Sequence, residues 1–199
     1  MFILGNVAFD LDDTTLDFMN PFVLFQNEVY GTSLKKDDFI TYDFCKVCRC
    51  SQEEMNKRML EFTNSGYSKQ IVPIDGSIRI LQFIKDIERK MIVVTGRGNH
   101  LREMTAHSVR NHFNGYFSGI YHARGYVLDE QIKKKSEICI EQGVNLIFDD
   151  DPKHIIDCVG AGIKVIVRDQ PWNQARLPDG AFRMKSCYEI PRILYEITK

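Results

Sequence analysis

Four aspartates fall within VAFDLDDTTLDF, residues 7–18, directly behind an apolar run. Asp10, Asp12, Asp13 and Asp17 would repel one another in a dry site. Either they mark a solvated turn, where Asp is common, or a cation such as a metal ion offsets them. In an extended backbone, residues two apart point the same way, so Asp10 and Asp12 can face one site. Two further stretches carry matching chemistry. Thr95-Gly96-Arg97 offers a hydroxyl donor and unobstructed backbone N–H groups, which suit phosphate oxygens. Asp149-Asp150-Asp151-Pro152 is a second carboxylate cluster, and Lys133-Lys134-Lys135 stands a short way before it. Taken singly these are turn residues and a solvated charged face. Their order along the chain, each at the end of an apolar run or just before a helical pattern, points instead to one composite anion site.

Parallel strands would bring these stretches together. Ile3 to Phe9 reads as a buried strand, followed by Met91 to Thr95, Leu146 to Phe148 and Lys164 to Val167, with Gly119 to His122 as a fifth. Helical spacing is expected over Ile78 to Arg89, Ser136 to Gln142 and His154 to Val159. Strands that are apolar without alternation indicate an α/β fold, a Rossmann-like parallel sheet with helices on both faces. Ligands in such folds bind beyond the carboxyl ends of the strands, where the three stretches fall. Residues from Asn20 to about Ile74 break the alternation. They carry helical patterns (PFVLFQNEVY, SQEEMNKRMLEF) and many aromatics, and are expected to form a helical insertion. The expected division is a core of residues 1–18 and 75–199 with a small helical cap over 19–74.

Composition narrows the function. The 199 residues are 44% hydrophobic and 27% charged, ordinary for a globular protein. A formal net charge of −1 offers no basic patch for a nucleic acid polymer. No apolar run approaches the roughly 20 residues that span a bilayer, and the acidic start lacks the features of a signal peptide. A cytoplasmic protein without membrane contact is expected. The six cysteines are read as reduced, mainly structural thiols. CKVCRC (Cys45, Cys48, Cys50) has no second cluster to complete a four-ligand zinc site. The five histidines have no metal spacing.

On Asp10-x-Asp12-x-Thr14, then Thr95, then a lysine of the 133–135 run, then Asp149-Asp150, the chain resembles the haloacid dehalogenase-like hydrolases, with the insertion where they carry a type 1 cap. Asp169-Gln170-Pro171-Trp172-Asn173, the IFDDDP segment and Phe18 are similar to the 5'(3')-deoxyribonucleotidase (type C 5'-nucleotidase) family. The resemblance implies a Mg²⁺-dependent phosphatase acting on (deoxy)ribonucleoside monophosphates through an aspartyl-phosphate. Asp10 would be the nucleophile, and Asp12 the acid and then base. Thr95 and Gly96 would hold phosphoryl oxygens, and a lysine would bridge phosphate and Asp10. Lys135, immediately before its helix, is preferred to Lys134. The metal would be held by Asp10, the Asp12 carbonyl and Asp150, supported by Asp149. Asp13 and Asp151 are read as loop and turn residues; many relatives have glycine at the Asp13 position. Phe18 and Phe44 are expected to enclose the base, with Phe22 and Tyr42 as further candidates. Arg97 is expected to contact substrate, with a salt bridge inside the domain as the alternative. Hydrolysis of a phosphosugar or another small phosphorylated metabolite is the alternative function. A dehalogenase is disfavoured by Asp12, and a nucleotide-binding protein without turnover by the full catalytic set.

Overall fold

A computed structural model describes residues 4–123 and 133–199. Six strands form one parallel sheet: β1 (Asn6–Phe9), β2 (Met91–Thr95), β3 (Phe117–His122), β4 (Val144–Asp149), β5 (Lys164–Arg168) and β6 (Ala181–Met184). Their spatial order is β3-β2-β1-β4-β5-β6. Side chains alternate across the sheet. Val7, Phe9, Val93, Leu146, Phe148 and Ile166 face one core cluster, while Ala8, Ile92, Val94, Ile147, Val165 and Val167 face another. Both faces are apolar, so the strands read as continuous hydrophobic runs.

Helices cover each face. On the first lie α4 (Ser77–Asp86), α5 (Arg102–Phe113) and α8 (Ile190–Thr198), through residues such as Leu81, Ile84, Phe113, Ile193 and Ile197. On the second lie α6 (Lys135–Glu141) and α7 (Pro152–Gly160), through Ile138, Cys139, Ile155 and Cys158. The preceding segment holds α1 (Met19–Tyr30), α2 (Phe44–Cys48) and α3 (Gln52–Thr63). Ser51 caps α3 by accepting the Glu54 N–H at 3.2 Å. These helices close on an aromatic cluster of their own, with Phe22, Phe25, Phe39 and Phe62 buried, which Trp172 joins from elsewhere in the chain. The segment leaves and rejoins the sheet side by side: Asp17 N–H donates to Val72 O at 2.8 Å, and Ile74 N–H to Thr15 O at 2.9 Å.

The α/β class, the five expected strands and the expected helices are present, with ends shifted by a few residues. Position 3 of the first expected strand lies outside the described residues. Helix α2, of five residues, was not expected, nor were α5, β6 and α8. Helix α5 has few apolar residues to mark a face, β6 is a four-residue edge strand holding Arg183, and α8 follows a turn-rich stretch. Among the described residues no helix is long and apolar enough to cross a membrane.

Phe113 is 1% exposed and meets Phe117 edge-on at 5.9 Å, anchoring α5 to the sheet. Phe113→Ala is therefore expected to lower unfolding free energy by about 3–5 kcal/mol. Urea denaturation checks this, and a loss near zero would mean that α5 does not depend on that anchor.

Candidate active site

The strand order sets the site. With β1 between β2 and β4, the residues that end these strands become neighbours although some 140 positions separate them. Oxygens of Asp10, Asp149 and Asp150 lie within 4.8 Å of one another, and all three residues are buried. Among the described residues, the one ammonium paired with them is that of Lys135, 1% exposed. Its Nζ lies 2.7 Å from Asp149 Oδ2 and 2.9 Å from Asp10 Oδ1. The contact to Asp10 is an ion pair without hydrogen-bond alignment, leaving Oδ1 without a hydrogen-bond partner among the described residues. Lys133 and Lys134 are exposed and pair with Glu141 and Asp157.

The three carboxylates are in different electrostatic situations. Burial opposes ionisation of Asp149, but Lys135, then His154, outweigh it and hold that carboxyl well below the usual range. Its Oδ1 also accepts the N–H groups of Asp150 and Asp151, at 2.9 and 3.0 Å. Burial is the largest effect at Asp10 and raises it to about 6 in spite of Lys135. Asp150 is raised well above its ordinary value, first by burial and then by Asp10, Asp149 and Asp13. No cation pairs with it among the described residues. Thr14 Oγ1 and Trp172 Nε1 donate one neutral hydrogen bond to each of its oxygens, at 2.7 and 2.9 Å. Three carboxylates against one ammonium leave a deficit of positive charge centred between Asp10 and Asp150. An all-oxygen donor set with that deficit fits a small divalent cation.

The flanking residues complete the geometry. Asp12 points to Arg97, whose Nε and Nη2 donate to its two oxygens at 2.8 and 2.6 Å. Burial works against the guanidinium's charge, but Asp12 outweighs it and raises its pKa further. Contact between Arg97 and a substrate would require that pair to open. Thr95 is buried, and its Oγ1 accepts the Arg97 N–H at 3.2 Å. Gly96 follows in the same turn, where an added Cβ would meet only His154 Cε1 at an ordinary 3.6 Å. Packing thus admits a side chain there.

Asp13 has φ of +55°, the left-handed region that glycine favours. Its N–H donates to Leu16 O at 2.7 Å, its Oδ1 accepts the Met19 N–H at 3.2 Å, and Lys36 stands at 3.5 Å. Burial raises its carboxyl to about 8. Asp151 caps α7 by accepting the Lys153 N–H at 2.8 Å. Phe18 and Phe44 are half-buried and pack against the aromatic cluster. Phe18 stacks on Phe22 at 5.5 Å and meets Phe62 edge-on at 5.3 Å, and Phe44 stacks on Phe22 at 5.6 Å. Two residues at the site drew no role from the sequence. His154 Nδ1 lies 3.5 Å from Asp151 Oδ2 and 3.8 Å from Asp149 Oδ1, a placement signalled only by its position in the first turn after the aspartates. Gln170 donates from Nε2 to Asp13 O at 2.6 Å, a contact spanning 157 positions that local sequence does not signal.

Comparisons with known proteins identify the family. The profile of the family described as "5' nucleotidase, deoxy (Pyrimidine), cytosolic type C protein" matches residues 4–194. The chain belongs to that family. As a type C 5'-nucleotidase family member it is a phosphoric monoester hydrolase. A curated protein of Halalkalibacterium halodurans, provisionally named a nucleotidase, is 27% identical over 178 residues, covering 88% of this chain and 85% of that protein. Solved structures share the fold. A predicted phosphatase from Clostridium acetobutylicum has a TM-score of 0.71 at 15% identity, covering 98% of this chain and 100% of that one. A haloacid dehalogenase-like family hydrolase from Streptococcus pneumoniae has a TM-score of 0.66 at 15% identity, covering 96% and 98%. The nucleotidase family's fold is thus that of the haloacid dehalogenase-like hydrolases.

Lys135→Met should leave Asp10 and Asp149 buried beside each other without a cation. In metal-free protein this is expected to cost about 3–5 kcal/mol of folding stability, the usual result of removing one partner of a buried pair. Urea unfolding in EDTA checks it; an unchanged midpoint would mean that Lys135 is dispensable to the charge balance.

Proposed function

We propose that the enzyme hydrolyses (deoxy)ribonucleoside monophosphates, with Mg²⁺, through a phosphorylated Asp10. The observation that carries the reading is the convergence of Asp10, Lys135, Asp149 and Asp150 at the strand ends in a chain of this family. Asp10, Asp150 and the Asp12 backbone carbonyl would hold the cation, with Asp149 behind them. When bound, Mg²⁺ supplies charge that offsets the repulsion between a phosphate dianion and a carboxylate. Asp10 attacks phosphorus, and Lys135 neutralises charge beside it. Thr95 Oγ, which accepts from Arg97 N–H, keeps its own proton to donate to a phosphoryl oxygen, as does the Gly96 N–H. Asp12, carrying a proton taken from solvent once its pair with Arg97 opens, protonates the leaving nucleoside oxygen and then takes a proton from the attacking water. Arg97 holds the ionised form of that carboxyl in place. The same reading places the enzyme in the cytosol, where its six free thiols stay reduced.

Residues 19–74 are proposed to act as the cap that selects the substrate, with Phe18 and Phe44 against the base. The competing reading, a phosphosugar or other small phosphorylated metabolite, draws on one observation. The Phe18 ring is already stacked and edge-packed within its own cluster, as it would be in a cap that touches no base.

Each part of this reading has its own test. Asp10→Asn should abolish phosphoenzyme formation, and Asp12→Asn should slow turnover by about 10²–10⁴-fold while leaving the nucleophile in place. Phosphoenzyme at wild-type level in Asp10→Asn would show that another residue attacks, and full turnover in EDTA would remove the metal. Phe18→Ala should raise KM for a deoxynucleoside monophosphate by about 5–150-fold, the equivalent of stacking one base, and hardly change hydrolysis of an aryl phosphate. Equal losses on both substrates would make Phe18 a packing residue. A wild-type preference for phosphosugars over every nucleotide in a substrate panel would overturn the nucleotidase reading.

A further inference from the structure

Trp172 is the one tryptophan of the chain, and it touches two regions that are far apart in sequence. Its indole Nε1–H donates to Asp150 Oδ2 at 2.9 Å, while Thr14 Oγ1 donates to Oδ1 at 2.7 Å. One bond to each oxygen fixes the plane of the carboxylate and leaves lone pairs on both oxygens for a cation. The ring, 6% exposed, belongs to the aromatic cluster of the helical segment. Tyr42 meets it at 6.0 Å with an interplanar angle of 80°, and Lys36 Nζ stands 5.6 Å from its centroid. Lys36 also pairs with Asp13.

The turn that bears the indole is itself clamped. Asn173 Nδ2 donates to Asp150 O at 2.9 Å and to Arg168 O at 2.8 Å, and Arg183 Nη1 donates to Asn173 Oδ1 at 2.7 Å. A buried tryptophan usually fills space and finds whatever acceptor its N–H can reach. Here the acceptor is the one carboxylate of the triad without an ion pair among the described residues, and the ring is held by the opposite part of the molecule.

We infer that Trp172 is a positioning residue that aims Asp150 at a divalent cation through its N–H and, through its ring, links that carboxylate to the placement of the 36–44 stretch. The inference rests on the metal reading proposed above. If the link exists, metal binding and the arrangement of that stretch bias one another reciprocally. The contact with Tyr42 then does more than fill space.

The test uses Mg²⁺ alone as the probe, on the full chain without substrate. Calorimetry measures binding, and the emission of the single tryptophan is followed in the same titration. Wild-type protein should bind Mg²⁺ with a saturable change in emission at the calorimetric midpoint. Trp172→Phe, which keeps a ring and removes the donor, should weaken binding by about 10–100-fold, the usual effect of losing a partner of a metal ligand. Tyr42→Ala keeps the fluorophore and should shift the emission midpoint in the same direction, by less. Calorimetric binding with no change in wild-type emission, or an unchanged affinity in Trp172→Phe, overturns the positioning role. A shift in Trp172→Phe with none in Tyr42→Ala overturns the link to the 36–44 stretch. Absence of Mg²⁺ binding in the wild type would instead overturn the metal reading itself. If Trp172→Phe fails to fold, wild-type emission and Tyr42→Ala still decide the matter.

Discussion

One buried ammonium faces three buried carboxylates. Lys135 is within 3 Å of Asp10 and Asp149 and forms no ion pair with Asp150. Removing such charges from water costs several kcal/mol per ion, and a single cation cannot repay that for three anions. The carboxylates therefore outnumber the cations, and the imbalance centres on Asp150, which has neutral donors but no ion pair among the described residues. A cation that enters beside Asp10 and Asp150 relieves both and leaves Asp149, already saturated by Lys135 and two backbone N–H groups, as a support. In the proposed reaction a phosphate ester would bring more negative charge to the same place, which a bound cation and Lys135 would together offset.

The parallel sheet exists at this point of the chain to deliver those groups. Adjacent strands lie about 4.8 Å apart, so the last residues of β2, β1 and β4 fall within side-chain reach of one another. Apolar side chains on both faces hold the strands in register, and α6 presents Lys135 at its first residue over the strand ends. Burial by these helices is also what raises the cost of the carboxylates. The core and the site are two consequences of the same packing.

A further ring of contacts stands behind the carboxylates. Gln170 holds the Asp13 carbonyl, Asn173 the Asp150 carbonyl, and Trp172 the Asp150 side chain. All three come from the turn after β5, so that turn supports the β1 and β4 loops at once. Lys36 reaches Asp13 from the helical segment. The two short linkers at Asp17 and Ile74 bond to each other's neighbours, so the segment is joined to the sheet by a narrow connection and by these side-chain contacts.

Much of this was readable in the residues themselves. Apolar runs without alternation, ended by Asp10, Thr95 and Asp149, signal both a parallel sheet and the edge at which chemistry occurs, because burial on two faces and ligand binding at strand ends are local consequences of that fold. The class of the enzyme came from the resemblance to the haloacid dehalogenase-like hydrolases that those residues carry. Elements with weak local signals escaped: α5 has little amphipathic contrast, and the β6 edge is recognised only when β5 is there to pair with it. Side-chain partners were equally out of reach. Lys135 was preferred to Lys134 from its place before a helix, but Asp12 to Arg97, Gln170 to Asp13 and Trp172 to Asp150 each depend on which strand lies beside which. A hydrogen bond requires a distance and an angle between residues tens of positions apart or more, and those are properties of the packed sheet and not of the sequence on either side. The residues determined which chemistry this protein could hold, and the strand order decided which side chains meet to perform it.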